Sequence, residues 1–299
     1  MAAKKALITG ANSGIGFETA RALVERGVHV LMVCRNAVLG ANARQELASL
    51  ATGHEPTLYV ADLFSRRQIR RLSEELHRDH ASIDVLINNA GGAFAPKQFS
   101  ENGIEKTFGI NYLAPFLLTN LLLDLVNAAP GGRIVNVVTE VYPSRLDFDN
   151  LQGERRYNFF AAYAHSKLAN IIFTIELARR LQDTGTTANA ISPGPTVTNF
   201  GASGLHGLPA LMPKIMMRLP IFLSVDKGAR GVVRAAWSPE LAGVSGRLFL
   251  RERELQTKPV VHDLVVAQRL WKISESLTGL DNKELIFSNA LSASAGVGM

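Results

Sequence analysis

Short apolar runs alternate with longer amphipathic stretches along most of the chain. Residues 6–9 form a compact apolar run that ends in a glycine turn, and residues 15–26 follow with an apolar stripe at helical spacing. A second buried strand is expected over 28–34. The same rhythm predicts a helix over 41–50, a strand over 57–61, a helix over 68–77 and a strand over 85–88. Farther on, 104–126 reads as strongly helical, 133–138 as a buried strand, 161–181 as a long helix and 188–192 as a sixth strand. Helices over 226–237 and 264–277, with a last strand near 247–250, complete the series. Strands that are apolar on both faces belong to a sheet covered by helices on both sides. The expected fold is therefore α/β, a doubly wound parallel sheet of Rossmann-like form, with no separate second domain.

Composition narrows this little. A chain of 299 residues has ample length for one large core, and α/β folds often use more than 200 residues in a single domain. With 47% hydrophobic and 19% charged residues it is an ordinary globular sequence, neither disordered nor fibrous. The expected domain spans 1–285, followed by a frayed tail over 286–299 that ends in Ser, Ala and Gly without an apolar face. The net charge of +6 is dispersed among carboxylates instead of forming a tract, so no nucleic-acid partner is expected. Arg66, Arg67, Arg70 and Arg71 fall on one side of a predicted helix and read as a solvated face. Cys34 stands alone, which excludes a disulfide framework and any Cys-based metal site, and no metal is expected. The N-terminus runs directly into a strand and no apolar run reaches the roughly 20 residues of a membrane span, so a cytoplasmic protein is expected.

The first candidate chemistry lies after the first strand, in Thr9-Gly10-Ala11-Asn12-Ser13-Gly14-Ile15-Gly16. Glycines let backbone approach a pyrophosphate closely, and the helix that follows offers its N-terminal amides and dipole to phosphate. A glycine cluster alone is a weak signal, but between a strand and a helix it points to dinucleotide binding. In NAD-binding units an acidic residue at the end of the second strand holds the ribose 2′-hydroxyl. Here that place is Cys34, followed by Arg35, and a guanidinium without a carboxylate favours a 2′-phosphate, hence NADP (NADPH). Asp62 ends the third strand and Asn88-Asn89-Ala90-Gly91 the fourth, both at the carboxyl edge where such sheets bind ligands.

A second candidate is the helical segment Tyr163-Ala164-His165-Ser166-Lys167. Residues four apart share a helix face, so the phenol and the ammonium are neighbours. At about 4 Å and an effective dielectric of about 20 they attract by about 4 kcal/mol. That corresponds to about three pKa units of stabilisation for a phenolate. His165, two positions from Tyr163, points away and is expected to pack or face solvent.

Together these residues resemble the short-chain dehydrogenase/reductase family over roughly residues 5–280. Within it, Asn111-Tyr112-Leu113-Ala114, Leu151-Gln152-Gly153-Glu154, Tyr163 to Asn170 and Arg269-Leu270-Trp271 are most similar to the retinol dehydrogenase and WW-domain oxidoreductase branch. The resemblance implies that Tyr163 is general acid for carbonyl reduction and base for alcohol oxidation, that Lys167 lowers its pKa and holds the nicotinamide ribose, and that Asn111 positions a water in a proton relay. It implies Thr139 as the substrate-binding hydroxyl, where the usual Ser-Ser pair is replaced by Val138-Thr139. It places Gly10, Ser13, Gly14, Ile15, Gly16, Arg35, Asp62, Leu63, Asn89, Ala90, Gly91, Tyr163 and Lys167 around the cofactor. Pro193, Gly194, Thr196 and Thr198 join them in a nicotinamide-side segment. Glu140 has no family role and brings a negative charge beside Thr139.

A substrate lid is expected near 199–225, rich in Leu, Ile and Met, which suits a small apolar substrate and leaves peripheral membrane contact open. The leading expectation is an NADP-dependent oxidoreductase acting on an apolar or aromatic ketone, aldehyde or secondary alcohol. Two alternatives stay open: a non-catalytic, regulatory NADP-binding protein, and a reductase of an activated C=C bond. Family members often pair through the helices bearing Asn111 and Tyr163, so a homo-oligomer is open as well.

Overall fold

The computed structural model describes residues 4–195 and 224–280. Seven strands, β1 (Lys5–Thr9), β2 (His29–Cys34), β3 (Thr57–Val60), β4 (Val85–Asn88), β5 (Arg133–Val137), β6 (Thr187–Ser192) and β7 (Leu248–Leu250), run parallel in one sheet. Their order is β3-β2-β1-β4-β5-β6-β7, and a two-residue strand, β8 (Arg253–Glu254), closes the edge antiparallel to β7. So short a strand leaves no periodic signal, and the sequence pattern did not anticipate it. The order reverses between β1 and β4, which opens a crevice at the carboxyl ends of those strands.

Successive strand residues point to opposite faces, and both faces are buried. Leu7, Leu31, Leu86 and Ile134 pack into one core, while Ala6, Ile8, Met32 and Val135 pack into the other. Helices α1 (Gly14–Val24) and α2 (Ala37–Ala48) cover the second face together with the helix Val225–Trp237. Helices α3 (Arg66–Asp79), α5 (Ala114–Leu121), α7 (Phe159–Arg180) and the helix Leu264–Thr278 cover the first. Phe116, Phe173 and Trp271 meet there with ring centroids 5.0–5.7 Å apart. Asn36, Ser65 and Asn158 cap α2, α3 and α7 with side-chain oxygens, which explains why those helices start where they do.

The stretch expected to be helical throughout 104–126 is interrupted. A short turn, α4 (Lys106–Phe108), leads into a π-helical turn at Gly109–Leu113, then α5, then a break at Leu122 before α6 (Leu123–Asn127). The wide turn carries Asn111, and such insertions re-aim side chains at functional places. Apolar periodicity survives the insertion of one residue, so it cannot reveal it. The arginines of α3 also have a structural use. Arg66 and Arg70 donate to the carbonyls of Leu277 and Gly279 at 2.9 and 2.8 Å, satisfying the C-terminal end of the helix Leu264–Thr278. The expected tail over 286–299 and all of the expected lid except its last two residues lie outside the described residues, as do Thr196 and Thr198.

Candidate active site

The turn after β1 is shaped for close approach of backbone. Gly10 and Gly14 hold φ of +68° and +57°, which side-chain-bearing residues rarely adopt. At Gly16 a Cβ would stand 2.3 Å from the Gly10 carbonyl oxygen and 2.5 Å from the Asn89 amide, so α1 sits directly against the turn. Ser13 precedes α1 in an extended conformation without a side-chain cap bond, and Ile15 begins the first turn of the helix. The amides at the head of α1 therefore face the crevice as donors for an anion. Thr9 staples this end of β1 to β4: its Oγ1 accepts the N–H groups of Asn89 and Ala90, both at 2.9 Å, while Asn89 Nδ2 donates to the Thr9 carbonyl at 2.8 Å.

At the end of β2, Cys34 is buried and its thiol is pushed up to about 11 by that burial, so it is a strand residue without nucleophilic character. Arg35 next to it is exposed, with its guanidinium carbon 5.8 Å from the centre of the Phe64 ring. Asp62 Oδ1 accepts the Phe64 N–H at 3.0 Å, which folds the turn after β3 and leaves Leu63 buried beneath it.

The polar centre of the site is built on α7 and the π turn. Lys167 is 4% exposed, and its Nζ donates to the Val137 carbonyl at the end of β5 at 2.8 Å. It lies 5.8 Å from the centre of the Tyr163 ring. Asn111 is tied at both ends of its amide: Oδ1 accepts the Gly92 N–H at 2.9 Å, and Nδ2 donates to the Gly92 carbonyl at 2.8 Å and to Ser166 Oγ at 2.9 Å. Ser166 in turn donates to the Tyr163 carbonyl at 2.7 Å, and Asn170 Nδ2 donates to the Asn111 carbonyl at 2.8 Å. Gly91 lies over this group, where an added Cβ would stand 2.7 Å from Asn111 Oδ1 and 3.4 Å from Lys167 Nζ. A glycine that keeps the strand end flush with an ammonium and an amide is the kind of cradle a nucleotide ribose needs, and these residues fit a dinucleotide. The Asn111 side chain is thus engaged in holding Gly92 and Ser166.

Burial sets the electrostatics. The Lys167 ammonium is pushed down to about 8 by desolvation. The Tyr163 phenol is pushed above its ordinary value, first by burial and then by the Glu140 carboxylate. Glu140 itself accepts the hydroxyl proton of Ser192, and Ser192 Oγ accepts the Gly194 N–H at 3.2 Å. Thr139 Oγ1 accepts the Val141 N–H at 3.2 Å, and Pro193 is buried at the end of β6. Tyr142 is buried and accepts the Lys258 N–H at 3.2 Å, so it anchors the C-terminal segment. His165 is pushed below its ordinary value by burial and stands beside Asp147 and Arg145, away from Tyr163.

Sequence reasoning missed the polar frame beneath the site. Asn88 and Asn136 are partners in register on β4 and β5, both buried, and Asn88 Nδ2 donates to Asn136 Oδ1 at 2.8 Å. The signal was present as an asparagine inside each of two otherwise apolar strands. Among the described residues no group of acidic, His and Cys side chains could hold a metal, and no helix is long and apolar enough to cross a membrane.

Comparison with known proteins agrees with this geometry. The short chain dehydrogenase family model matches residues 4–206. Retinol dehydrogenase 14 of Homo sapiens is 40% identical over 296 residues, covering 94% of this chain and 88% of that protein. An uncharacterized protein from Mycobacterium paratuberculosis has a similar structure, with a TM-score of 0.73, 31% identity, and 92% and 93% of the two chains covered. A variant of actinorhodin polyketide ketoreductase solved with NADPH gives a TM-score of 0.65 at 25% identity, covering 87% of this chain and 98% of that one. With a strand-turn-helix cradle, a helix carrying Tyr163 and the buried Lys167, and these relatives, the chain belongs to the short chain dehydrogenase family, as an NAD(P)-dependent oxidoreductase most like the retinol dehydrogenases.

Proposed function

We propose that the protein uses NADP to interconvert an apolar or aromatic ketone or aldehyde with the corresponding alcohol. The observation that carries this reading is the cluster of Tyr163, Lys167 and Asn111 beneath Gly91, beside the phosphate-type turn at Gly10–Gly16. Arg35 supports the choice of NADP, since an exposed guanidinium follows directly on Cys34, which stands where an NAD-binding carboxylate would be. The NADPH held by the structurally similar ketoreductase supports it too. Val141 and Phe160 are 71% and 70% exposed, and they lie two residues beyond Thr139 and three before Tyr163. Exposed apolar side chains so placed favour an apolar substrate.

When bound, the nicotinamide supplies or accepts the hydride. The residues of the chain handle protons and position. Tyr163 keeps its proton at neutral pH, as a donor to a carbonyl oxygen must, and returns as base in the reverse direction. Lys167 carries its ammonium below about pH 8 and stabilises the phenolate left after donation. Thr139 accepts from Val141, which leaves its hydroxyl proton for the substrate oxygen. Asn111 positions Gly92 and Ser166, and through Ser166 the backbone of Tyr163. The turn at Gly10, Ser13, Gly14, Ile15 and Gly16 takes the pyrophosphate, Asp62 and Leu63 face the adenine side, Asn89, Ala90 and Gly91 line the crevice, and Pro193 and Gly194 face the nicotinamide.

Replacing Tyr163 with Phe removes the donor and keeps the ring. Turnover of a ketone panel with NADPH is expected to fall by about 10²–10⁴-fold while NADPH still binds. Undiminished turnover would overturn the reading. Val138-Thr139 and Glu140, in place of the usual serine pair, favour a second reading, cofactor binding without turnover. Tight NADPH binding by the wild type, with no oxidation or reduction across pH 6–10, would select it.

A further inference from the structure

Glu140 follows Thr139 and, apart from its charge near the Tyr163 phenol, has no part in the chemistry assigned above. Its surroundings give it one. The backbone ladder between β5 and β6 ends with the Val138 N–H donating to the Ile191 carbonyl at 2.9 Å. Beyond that point side chains continue the connection. Glu140 Oε2 accepts the proton of Ser192 Oγ, and Ser192 Oγ accepts the Gly194 N–H at 3.2 Å. The Ser192 carbonyl is held from the other side by the Arg251 N–H at 2.8 Å, and Ser192 is 1% exposed. Gly194 meanwhile holds φ of +79°, one of several conformations open to glycine, so its contacts select it.

A hydroxyl has one proton and two lone pairs, so where its proton goes decides what else it can accept. A carboxylate is the strongest acceptor available to Ser192, and it fixes the proton toward Glu140. The lone pair then faces Gly194. We infer that Glu140 is a positioning residue for the turn Ser192-Pro193-Gly194, locking the Ser192 hydroxyl as acceptor for the Gly194 N–H so that the turn is formed before cofactor binds. This rests on the proposal that the turn faces the nicotinamide. Preforming a turn lowers the ordering cost of binding, so its loss is read as weaker cofactor affinity.

The test uses the full chain with Glu140→Ala, Glu140→Gln, Ser192→Ala and the Glu140→Ala/Ser192→Ala double variant. Amide hydrogen exchange without cofactor reads the turn directly. Exchange at Gly194 is expected to quicken about tenfold in Glu140→Ala, and to stay near wild type in Glu140→Gln, whose amide oxygen still accepts the hydroxyl proton. NADPH titration by fluorescence quenching is expected to show about tenfold weaker binding for each Ala variant, with the double variant no weaker than either. Unchanged Gly194 exchange in Glu140→Ala overturns the inference, as does a double variant whose loss is the product of the two single losses. Failure of the wild type to bind NADPH would instead count against the proposed function, and the exchange measurement would still decide the role of Glu140.

Discussion

Tyr163 and Lys167 share one face of α7, and burial moves them in opposite directions, the phenol up and the ammonium down to about 8. Both shifts favour the uncharged form, as desolvation must. The sequence spacing made the pair visible, because residues four apart on a helix are neighbours whatever surrounds them. The direction of the shift was not visible, because it is set first by burial, which only the packed fold creates, and then by Glu140, which follows β5 and lies far from α7 in sequence. Arg35 is the opposite case. It is exposed and touches little besides the Phe64 ring, so almost nothing in the fold depends on it. Arg35→Asp is therefore expected to leave the melting temperature within about 2 °C of wild type, since exposed substitutions usually stay within about 0.5 kcal/mol. A charge-assisted contact is worth about 1.5–3 kcal/mol, so NADPH affinity should fall about ten- to a hundredfold while NADH affinity holds or improves. Parallel titrations with the two cofactors check this, and an unaltered ratio would remove Arg35 from the cofactor site.

The elements carry the site on a polar frame that the apolar pattern concealed. Asn88 on β4 donates to Asn136 on β5 and to Thr119 on α5, at 2.8 and 2.9 Å. Asn136 donates to Thr174 on α7 at 2.8 Å, and Thr174 donates to the Asn170 carbonyl at 2.7 Å. Asn170 reaches on to the Asn111 carbonyl, so side-chain donors join two strands and two helices to the π turn. Asn136→Ala breaks two of these bonds and leaves Asn88 and Thr174 short of partners in a dry interior. At about 1–3 kcal/mol for each buried polar group left unsatisfied, a loss of about 2–4 kcal/mol is expected in urea unfolding. A loss below about 1 kcal/mol would show that the frame contributes little. The strand and helix order was legible because binary patterning reports burial, and burial is what builds this sheet. The π turn at Gly109–Leu113 and the strand Arg253–Glu254 were not, since one depends on a one-residue insertion and the other on two residues.

At the scale of the molecule the two edges of the sheet behave differently. The candidate site occupies the carboxyl edge, while the amino edge gathers histidines. His29 begins β2 and bonds through Nε2 to Thr57 Oγ1 at 2.9 Å, stacks on His54 with centroids 5.5 Å apart, and meets His80 edge-on at 6.2 Å. His80 Nε2 stands 2.9 Å from Tyr59 Oη, which donates to Asp79 at 3.1 Å. Burial pushes His29 and His80 below their ordinary value of 6.5. His54, His80 and Lys5 push His29 further in that direction, and Lys5 does the same to His80 against the opposing pull of Asp79. A histidine whose folded pKa is lowered is favoured neutral, so its contribution is intact above about pH 6.5 and is lost as pH falls through the lowered folded values. The melting temperature is accordingly expected to drop between pH 7 and pH 5, by roughly 2–4 °C for each kcal/mol lost. Glutamine cannot acquire the charge, so the double variant His29→Gln/His80→Gln should start lower at pH 7 and decline less steeply. Equal slopes for the two proteins would mean that acid sensitivity arises elsewhere. Because the cluster lies at the edge away from Tyr163, NADPH affinity at pH 7 should be the same in both, which separates loss of fold from loss of site.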